Sequence, residues 1–132
     1  MPDITINPGT SALLLQDLQN DVIKTDRPVV PMGSAQLIAN CRKLLDKARQ
    51  VGMPVIYVRV SRRPDLKDAP RTPPGAVARP GGAPSLIEGT KGAEIVAELA
   101  PRAGDVVVTK HTTSAFYTTD LGATCAASVL PR

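Results

Sequence analysis

Three short apolar segments have the pattern of strands that are buried on both faces of a sheet. Ser11 to Leu15 reads Ser-Ala-Leu-Leu-Leu and runs straight into polar residues at Gln16 and Asp17. Val55 to Val60 is rich in β-branched residues, and Asp105 to Thr109 reads Asp-Val-Val-Val-Thr. Runs of this length are typical of strands in a parallel sheet. A helix is the alternative for the first segment because leucine is not β-branched.

The segment from Gly33 to Val51 has the period of an α-helix. Its apolar side chains follow one stripe with a 3.6-residue repeat, and charged residues fill the opposite face. The stripe consists of Leu37, Ile38, Cys41, Leu44, Leu45, Ala48 and Val51. Ser34 is the candidate N-cap, and Gly52 stands where a helix commonly ends in a left-handed residue. We expect a shorter helix over Ala93 to Leu99, and Thr118-Thr119-Asp120 has the composition of a helix start.

The order of these elements indicates the fold class. Strand, helix, strand, loop, helix and strand follow one another, which is typical of β-α-β crossovers and a parallel sheet. The loop between the second strand and the short helix, Ser61 to Gly92, holds six prolines and five glycines in 32 residues. No helix or strand of normal length fits in it, and loops of this length are usually functional or disordered. We therefore predict an α/β domain with one long loop.

Length and composition exclude several classes of protein. With 132 residues, 42% of them hydrophobic and 21% charged, the chain matches one globular domain rather than a disordered or fibrous protein. The longest apolar run, Ala12 to Leu15, has four residues and is too short to span a membrane. Residues Met1 to Thr10 lack the basic start and apolar block of a secretory signal. We therefore expect a cytoplasmic protein with no membrane partner, whose two cysteines are free thiols.

The net charge of +4 is concentrated in one window, Arg59 to Arg79. This basic window lacks interleaved aromatic residues, and aromatic residues make up only 2% of the chain, so we do not expect nucleic acid as a partner. Its arginines could bind a substrate carboxylate, or the window could be solvated surface. The glycines of the same region do not follow a strand at the spacing of a dinucleotide-binding turn, so no nucleotide is expected.

Charged side chains follow the first and the third predicted strand. Asp17 comes just after the first strand, and Lys110 comes directly after the third. Ligands of open parallel sheets bind outside the carboxyl ends of the strands. If these two strands are neighbours, a carboxylate and an ammonium face one crevice, and the sequence predicts a candidate active site there. A solvated strand boundary is the alternative.

Two stretches around these charges resemble signatures of the isochorismatase-like cysteine hydrolases. Leu13 to Asp21 (LLLQDLQND) is similar to the family's opening motif, in which an apolar strand runs into Asp-x-Gln-Asn-Asp. Gly89 to Leu121 is similar to the second signature, which has a Gly-x-x-Gly helix entry, a Gly-Asp turn, a strand ending in Lys, and then Ser-Ala-Phe and Thr-Asp-Leu. The two matches occur in the family's order, and the second is the more specific.

This resemblance implies a fold, a reaction and a set of site residues. The implied fold is a three-layer α/β/α domain around a parallel, Rossmann-like sheet. The implied reaction is hydrolysis of an amide, carbamoyl or enol-ether bond in a small molecule by an Asp-Lys-Cys triad, with Asp17 as general base and Lys110 assisting ionisation of the thiol. Ser114 and Phe116 match the loop beside the lysine and are candidate substrate-binding residues, with core packing as the alternative for Phe116. His111, the single histidine, favours a structural role over a metal site, and no cofactor is expected.

The cysteine of the implied triad has no clear match in the chain. In the family it lies well after the lysine, in a Gly-x-x-Thr-Asn-x-Cys-type turn. Cys125 follows Lys110 by only 15 residues, and Cys41 lies within the apolar stripe of the first helix. We predict that Cys41 is a core residue and that Cys125 is not a working nucleophile. We therefore expect residues 1–121 to form an incomplete family domain, truncated to about three strands, and residues 122–132 to be a tail outside the family pattern.

Such a chain is expected to be inactive by itself. A half sheet leaves a strand edge unpaired, so a monomer would be marginally stable. Two alternatives to a catalytic role stay open. One is a non-catalytic protein that pairs through its open sheet edge, as a homo-oligomer or with a full-length relative, and the other is a gene remnant without a folded function.

Overall fold

The computed structural model describes residues 5–26, 28–68 and 84–129 of the chain. Its strands are β1 (Leu13–Gln16), β2 (Val55–Val60) and β3 (Val106–Lys110). Its α-helices are α1 (Asn20–Ile23), α2 (Gly33–Gln50) and α3 (Leu121–Val129). Three short 3₁₀ turns cover Pro8–Thr10, Lys91–Ala93 and Ala97–Leu99.

The strands form one parallel sheet in the order β1-β2-β3, which confirms the predicted α/β class. Strand β2 begins and ends where the sequence indicates. Strand β1 lies later than the predicted Ser11 to Leu15. The reason is that its ladder with β2 begins only at Leu13, whose N–H donates to the Pro54 carbonyl (2.8 Å).

Helices cover both faces of the sheet, as the surroundings of two neighbouring side chains of β2 show. Tyr57 belongs to a core cluster that includes Leu45 of α2. Its neighbour Val58 belongs to a second cluster that includes Leu121 of α3. Because successive side chains of a strand point to opposite faces, α2 and α3 lie on opposite sides of the sheet. The chain therefore has the three-layer α/β/α arrangement that the resemblance implies.

Helix α2 ends one residue before the predicted end at Val51. Gly52 has a φ of +69°, and the N–H of Met53 donates to the Ala48 carbonyl (2.8 Å) while the N–H of Gly52 donates to the Arg49 carbonyl (3.2 Å). These two bonds form a Schellman motif, for which a left-handed glycine is the favoured residue.

The start and the apolar stripe of α2 differ in part from the prediction. The predicted N-cap Ser34 is wrong, because Met32 takes that position and the Ser34 hydroxyl instead donates to the Ile23 carbonyl at the end of α1. Three members of the stripe, Cys41, Leu45 and Ala48, are buried. Leu44 and Val51 lie at its edge and are exposed.

The segment from Ala93 to Leu99 is not the helix that the sequence predicts. It contains the last residue of one 3₁₀ turn (Lys91–Ala93) and the whole of another (Ala97–Leu99), and Ile95 between them forms an antiparallel bridge with Gln19. The N–H of Val96 donates to the Leu18 carbonyl (3.0 Å). Because these backbone groups bind the segment that follows β1, they cannot bind one another within a helix.

The long loop has no regular helix or strand in its described parts, 61–68 and 84–92, apart from the start of one 3₁₀ turn. One isolated bridge there joins Arg62 to Ile87. The rest of the predicted loop, residues 69–83, lies outside the described residues and includes Arg71 and Arg79 of the basic window.

Helix α3 begins directly after Thr118-Thr119-Asp120, as the sequence indicates. Strand β3 pairs with β2 on one side, and no described strand pairs with its other side. Val106 and Val107 at the start of β3 are 38% and 41% exposed. Within the described ranges, no helix combines the length and the apolar character needed to cross a bilayer.

Candidate active site

Asp17 follows the last residue of β1 in a left-handed backbone conformation, with a φ of +58°. Its N–H donates to the Val58 carbonyl (2.9 Å), which extends the β1–β2 ladder by one residue. Aspartate tolerates this conformation better than most residues, and non-glycine residues that adopt it are enriched at functional sites. The turn brings the carboxylate to the carboxyl end of the sheet.

Lys110 reaches this carboxylate across the end of β2. Strands β1 and β3 are not neighbours, so the adjacent arrangement considered from the sequence does not occur. The lysine side chain is only 2% exposed, and its Nζ donates to Asp17 Oδ2 (3.0 Å) and to the Thr113 carbonyl (2.9 Å). The structure therefore brings the two predicted catalytic residues together.

The second carboxylate oxygen of Asp17 has a different environment. Oδ2 accepts from Lys110 and also from Gln16 Nε2 (3.3 Å), whereas Oδ1 is buried and has no hydrogen-bond partner. Buried polar atoms nearly always have a partner, and exceptions are frequent at catalytic sites. Oδ1 is thus a buried acceptor without a described partner, on the same carboxylate that binds Lys110.

Gln19 fixes the end of β2 and is the clearest functional residue that the sequence analysis missed. Its side chain is fully buried, and its Nε2 donates to the carbonyls of Val60 and Ala93, both at 2.7 Å. Its Oε1 accepts from the N–H of Val60 (2.7 Å). A glutamine three residues after the end of β1, inside the polar opening motif, is the signal that could have identified it.

Two further residues of the opening motif hold the loops beside the site. Asn20 Nδ2 donates to the Lys91 carbonyl (2.8 Å). Asp21 Oδ2 accepts from the N–H of Leu86 (2.7 Å). A Cβ at Gly92 would overlap the Asp21 carboxylate, so any side chain at this position would force the carboxylate to move.

A cleft of about 270 Å³ opens beside the Asp17–Lys110 pair. Apolar side chains, two threonines, a histidine and an arginine form its walls. The lining residues are Asp17, Val22, Val60, Arg62, Leu86, Lys110, His111, Thr112 and Thr113. Ligand sites are concave and mostly apolar with a few placed polar groups, and this cleft has that composition.

His111 joins the segment after β3 to the segment after β2. Its Nδ1 lies 2.7 Å from the Ser61 carbonyl and 3.0 Å from Asp68 Oδ2. Both partners are acceptors, so Nδ1 carries the hydrogen. This contact is compatible with the structural role that the sequence favours, which stays a prediction. Among the described residues, no group of three His, Cys, Asp or Glu side chains is arranged to hold a metal ion.

The two predicted substrate-binding residues lie beside the cleft rather than in it. Ser114 lines a shallow depression of about 420 Å³ together with His111 and Tyr117, and its hydroxyl accepts from the N–H of Phe116 (3.3 Å). Phe116 is 64% exposed, so it does not pack in the core, and it does not line the cleft around Asp17. A role of either residue in substrate binding stays a prediction.

Neither cysteine lies at the cleft. Cys41 is buried in the cluster between α2 and the sheet, and burial raises the pKa of its thiol. Cys125 of α3 packs against the cluster on the other face of the sheet, which includes Ile56 and Val108. The prediction that Cys41 is a core residue is confirmed.

Comparisons with known proteins agree with this architecture. The profile of the isochorismatase domain matches residues 11–128. The chain is 33% identical to the isochorismatase of Bacillus subtilis over 121 residues, and 32% identical to the ureidoacrylate amidohydrolase RutB of Agrobacterium fabrum over 135 residues. These alignments cover 87% and 89% of this chain, and 35% and 59% of the two relatives.

Among solved structures, an isochorismatase family protein from Burkholderia thailandensis superposes with a TM-score of 0.78 at 32% identity. The superposition covers 94% of this chain and 61% of that one. The chain therefore spans about half the length of the relatives that it matches.

Proposed function

The chain belongs to the isochorismatase family of hydrolases, and on this premise we propose that it contributes the base and the cation of a cysteine-hydrolase active site. In this proposal the substrate is a small molecule with an amide, carbamoyl or enol-ether bond. The observation that carries the proposal is the Asp17–Lys110 contact of 3.0 Å, with the second carboxylate oxygen of Asp17 unpartnered beside a cleft.

Each of the two residues has a defined part in the proposed reaction. For an amide or carbamoyl substrate, Asp17 Oδ1 accepts the proton of an attacking thiol, and the thiolate adds to the carbonyl carbon. The leaving group departs with a proton returned from Asp17, and water then releases the acyl group by the same route. Lys110 keeps the carboxylate oriented and places a positive charge beside the forming thiolate.

The attacking thiol is the part that the described residues do not provide at the cleft. Cys41 is buried beneath α2, and Cys125 faces the core cluster under α3. We therefore expect this 132-residue chain to show no turnover by itself. The proposed roles of Asp17 and Lys110 can be tested without a protein nucleophile by adding a small thiol to the solution.

The test measures thiolysis of an activated ester of a short carboxylic acid by a small added thiol, with and without the protein. The wild-type chain should accelerate the reaction, because Asp17 can act as general base toward a thiol that enters the cleft. General bases typically contribute roughly 10²- to 10⁴-fold, and the Asp17→Asn variant should lose the acceleration. Asp46→Asn, on the exposed face of α2, is the matched control and should retain it.

Two results would contradict the proposal in different ways. Equal acceleration by the wild type and by Asp17→Asn would refute the role of Asp17 as base. Turnover without added thiol that disappears in Cys125→Ser would refute the expected inactivity of the chain and would assign the nucleophile to Cys125.

A non-catalytic pairing role is the second candidate function, and the exposed edge of β3 favours it. Val106 and Val107 lie on a strand with no described partner on one side, and such edges pair readily with other chains. Sedimentation of the chain at micromolar concentration should then give a dimer, and Val107→Lys should shift it toward monomer. A strict monomer would refute this role, and Ala39→Lys on the exposed face of α2 is the matched control.

A further inference from the structure

Arg62 lines the cleft, and both its backbone N–H and its backbone carbonyl are hydrogen-bonded. It follows the end of β2, its N–H donates to the Leu86 carbonyl (2.9 Å), and its own carbonyl accepts from the N–H of Glu88 (2.9 Å). The segment Leu86 to Glu88, which binds the Arg62 backbone, is itself held by Asp21, whose Oδ2 accepts from the N–H of Leu86 (2.7 Å). The position from which the guanidinium enters the cleft is therefore set by the fold.

The guanidinium of Arg62 has few hydrogen-bond and ion-pair partners among the described residues. Lys110, the other cation of the cleft, is paired with Asp17, whereas no described carboxylate lies within ion-pair distance of Arg62. Its Nη1 makes one long contact of 3.5 Å with the Ser85 carbonyl. Its Nε is buried and has no hydrogen-bond partner.

A buried donor without a partner is costly, and a charged one more so. Arginine presents Nε–H and one terminal N–H side by side, in a planar fork that matches the two oxygens of a carboxylate. In Arg62 the one terminal nitrogen with a contact is Nη1, so Nε and Nη2 are the donors left for such a fork. A planar oxyanion beside Nε would therefore satisfy the donors that have no partner.

We propose that Arg62 is the specificity-determining residue of the cleft and binds the carboxylate of a small substrate. The apolar side chains of Val22, Val60 and Leu86 line the same cleft and cover the body of the molecule. Its reacting bond then lies at the Asp17–Lys110 pair. This inference rests on the proposed function, because it assigns the charge of the substrate for the same cleft.

The size of the cleft limits the ligand to a compact molecule. Its volume of about 270 Å³ lies just below the roughly 300–1,000 Å³ that is usual for pockets of drug-sized ligands. A carboxylate attached to an amide or ureido group by a short linker fits this limit. N-carbamoylglycine has these features, and N-carbamoylglycinamide replaces only its carboxylate with a neutral amide.

The experiment measures binding of these two probes to the intact chain by NMR, without any need for turnover. The Nε–H resonance of Arg62 is the reporter, and it should shift on addition of N-carbamoylglycine. Hydrogen bonds to charged groups contribute enough for the carboxylate to bind roughly tenfold more tightly than the amide. Arg62→Gln should abolish this preference, whereas the neighbouring Arg63→Gln should keep it, since Arg63 is exposed and paired with Asp65.

The comparison of the two probes on the unaltered chain does not depend on how the variants fold. Equal affinity for both probes, no binding of either at millimolar concentration, or an unchanged preference in a folded Arg62→Gln would each overturn the inference. Thiolysis that depends on Asp17 together with equal probe affinities would refute the role of Arg62 alone. Selective binding of the carboxylate without any Asp17-dependent thiolysis would refute the proposed reaction alone.

Discussion

Replacing Gln19 with alanine should destabilise the protein more than almost any other change of one polar residue. The side chain is fully buried and makes three hydrogen bonds of 2.7 Å, two of them to Val60 and one to Ala93. Each typical bond contributes about 0.5–1.5 kcal/mol, and each buried backbone group left without a partner costs about 1–3 kcal/mol. We therefore expect the free energy of unfolding to fall by about 3–5 kcal/mol, a large fraction of the roughly 5–15 kcal/mol of an ordinary domain.

The assay is urea unfolding followed by far-ultraviolet circular dichroism, with the midpoint compared between variant and wild type. For a slope of about 1–3 kcal/mol per molar urea, the expected loss lowers the midpoint by roughly 1 M or more. Gln36→Ala is the matched control, because Gln36 is exposed on α2 and its side chain donates to Asn40, its one side-chain partner among the described residues. It should change stability by less than about 0.5 kcal/mol. A loss below about 1 kcal/mol in Gln19→Ala would show that this network does not hold the end of β2.

Three further changes test other contacts by the same unfolding assay. Gly92→Ala places a Cβ on the Asp21 carboxylate and should cost about 1–3 kcal/mol, because it forces the carboxylate off its backbone partner. Lys110→Met leaves Asp17 without its cation and should cost about 1–3 kcal/mol, less than for a fully buried pair because the Asp17 side chain is 31% exposed. Burial raises the pKa of Cys41 above its ordinary 9.0, so the thiol ionises in the unfolded chain before it ionises in the folded one. Stability should therefore fall as the pH rises above 9.0, and Cys41→Val should reduce that slope.

Each of these predictions has its own control. Gly122→Ala lies in α3 with open space around the new Cβ and should be neutral or slightly stabilising. Lys43→Met, on the exposed face of α2, should be neutral. The alkaline slope that is left in Cys41→Val should include Tyr57, whose pKa burial also raises. The contact concerned would be contradicted if Gly92→Ala were as stable as Gly122→Ala, or if Lys110→Met were as stable as Lys43→Met. An unchanged dependence of stability on alkaline pH in Cys41→Val would contradict the burial of that thiol.

The sequence was sufficient for the elements that local patterns define. Strand β2 and helix α2 were predicted within one residue, because each combines a clear period with a residue type suited to its structure and, for α2, with a closing glycine. The parallel sheet followed from the alternation of these elements. Asp17 and Lys110 could be picked out because each follows an apolar strand, and ligands of parallel sheets bind at the strand ends.

What the sequence could not supply depends on contacts between distant residues. The segment from Ala93 to Leu99 has a helical composition, but its backbone groups bind the segment after β1 instead. The Asp17–Lys110 pair forms across β2 and not between neighbouring strands, because a lysine side chain is long enough to pass the end of a strand.

The same reason explains the residues that were missed at the site. The sequence marks Gln19 only by its place in the opening motif, which does not show that its side chain is buried, and nothing local distinguishes Arg62 from the other arginines of the basic window. The three hydrogen bonds of Gln19 are strong because the side chain is fully buried and water does not compete for it. Arg62 Nε has no hydrogen-bond partner, and no described carboxylate lies beside it. Local patterns thus determined the secondary structure and two of the charged residues. Only the packed tertiary structure decided which polar groups are buried together and which are left without a partner.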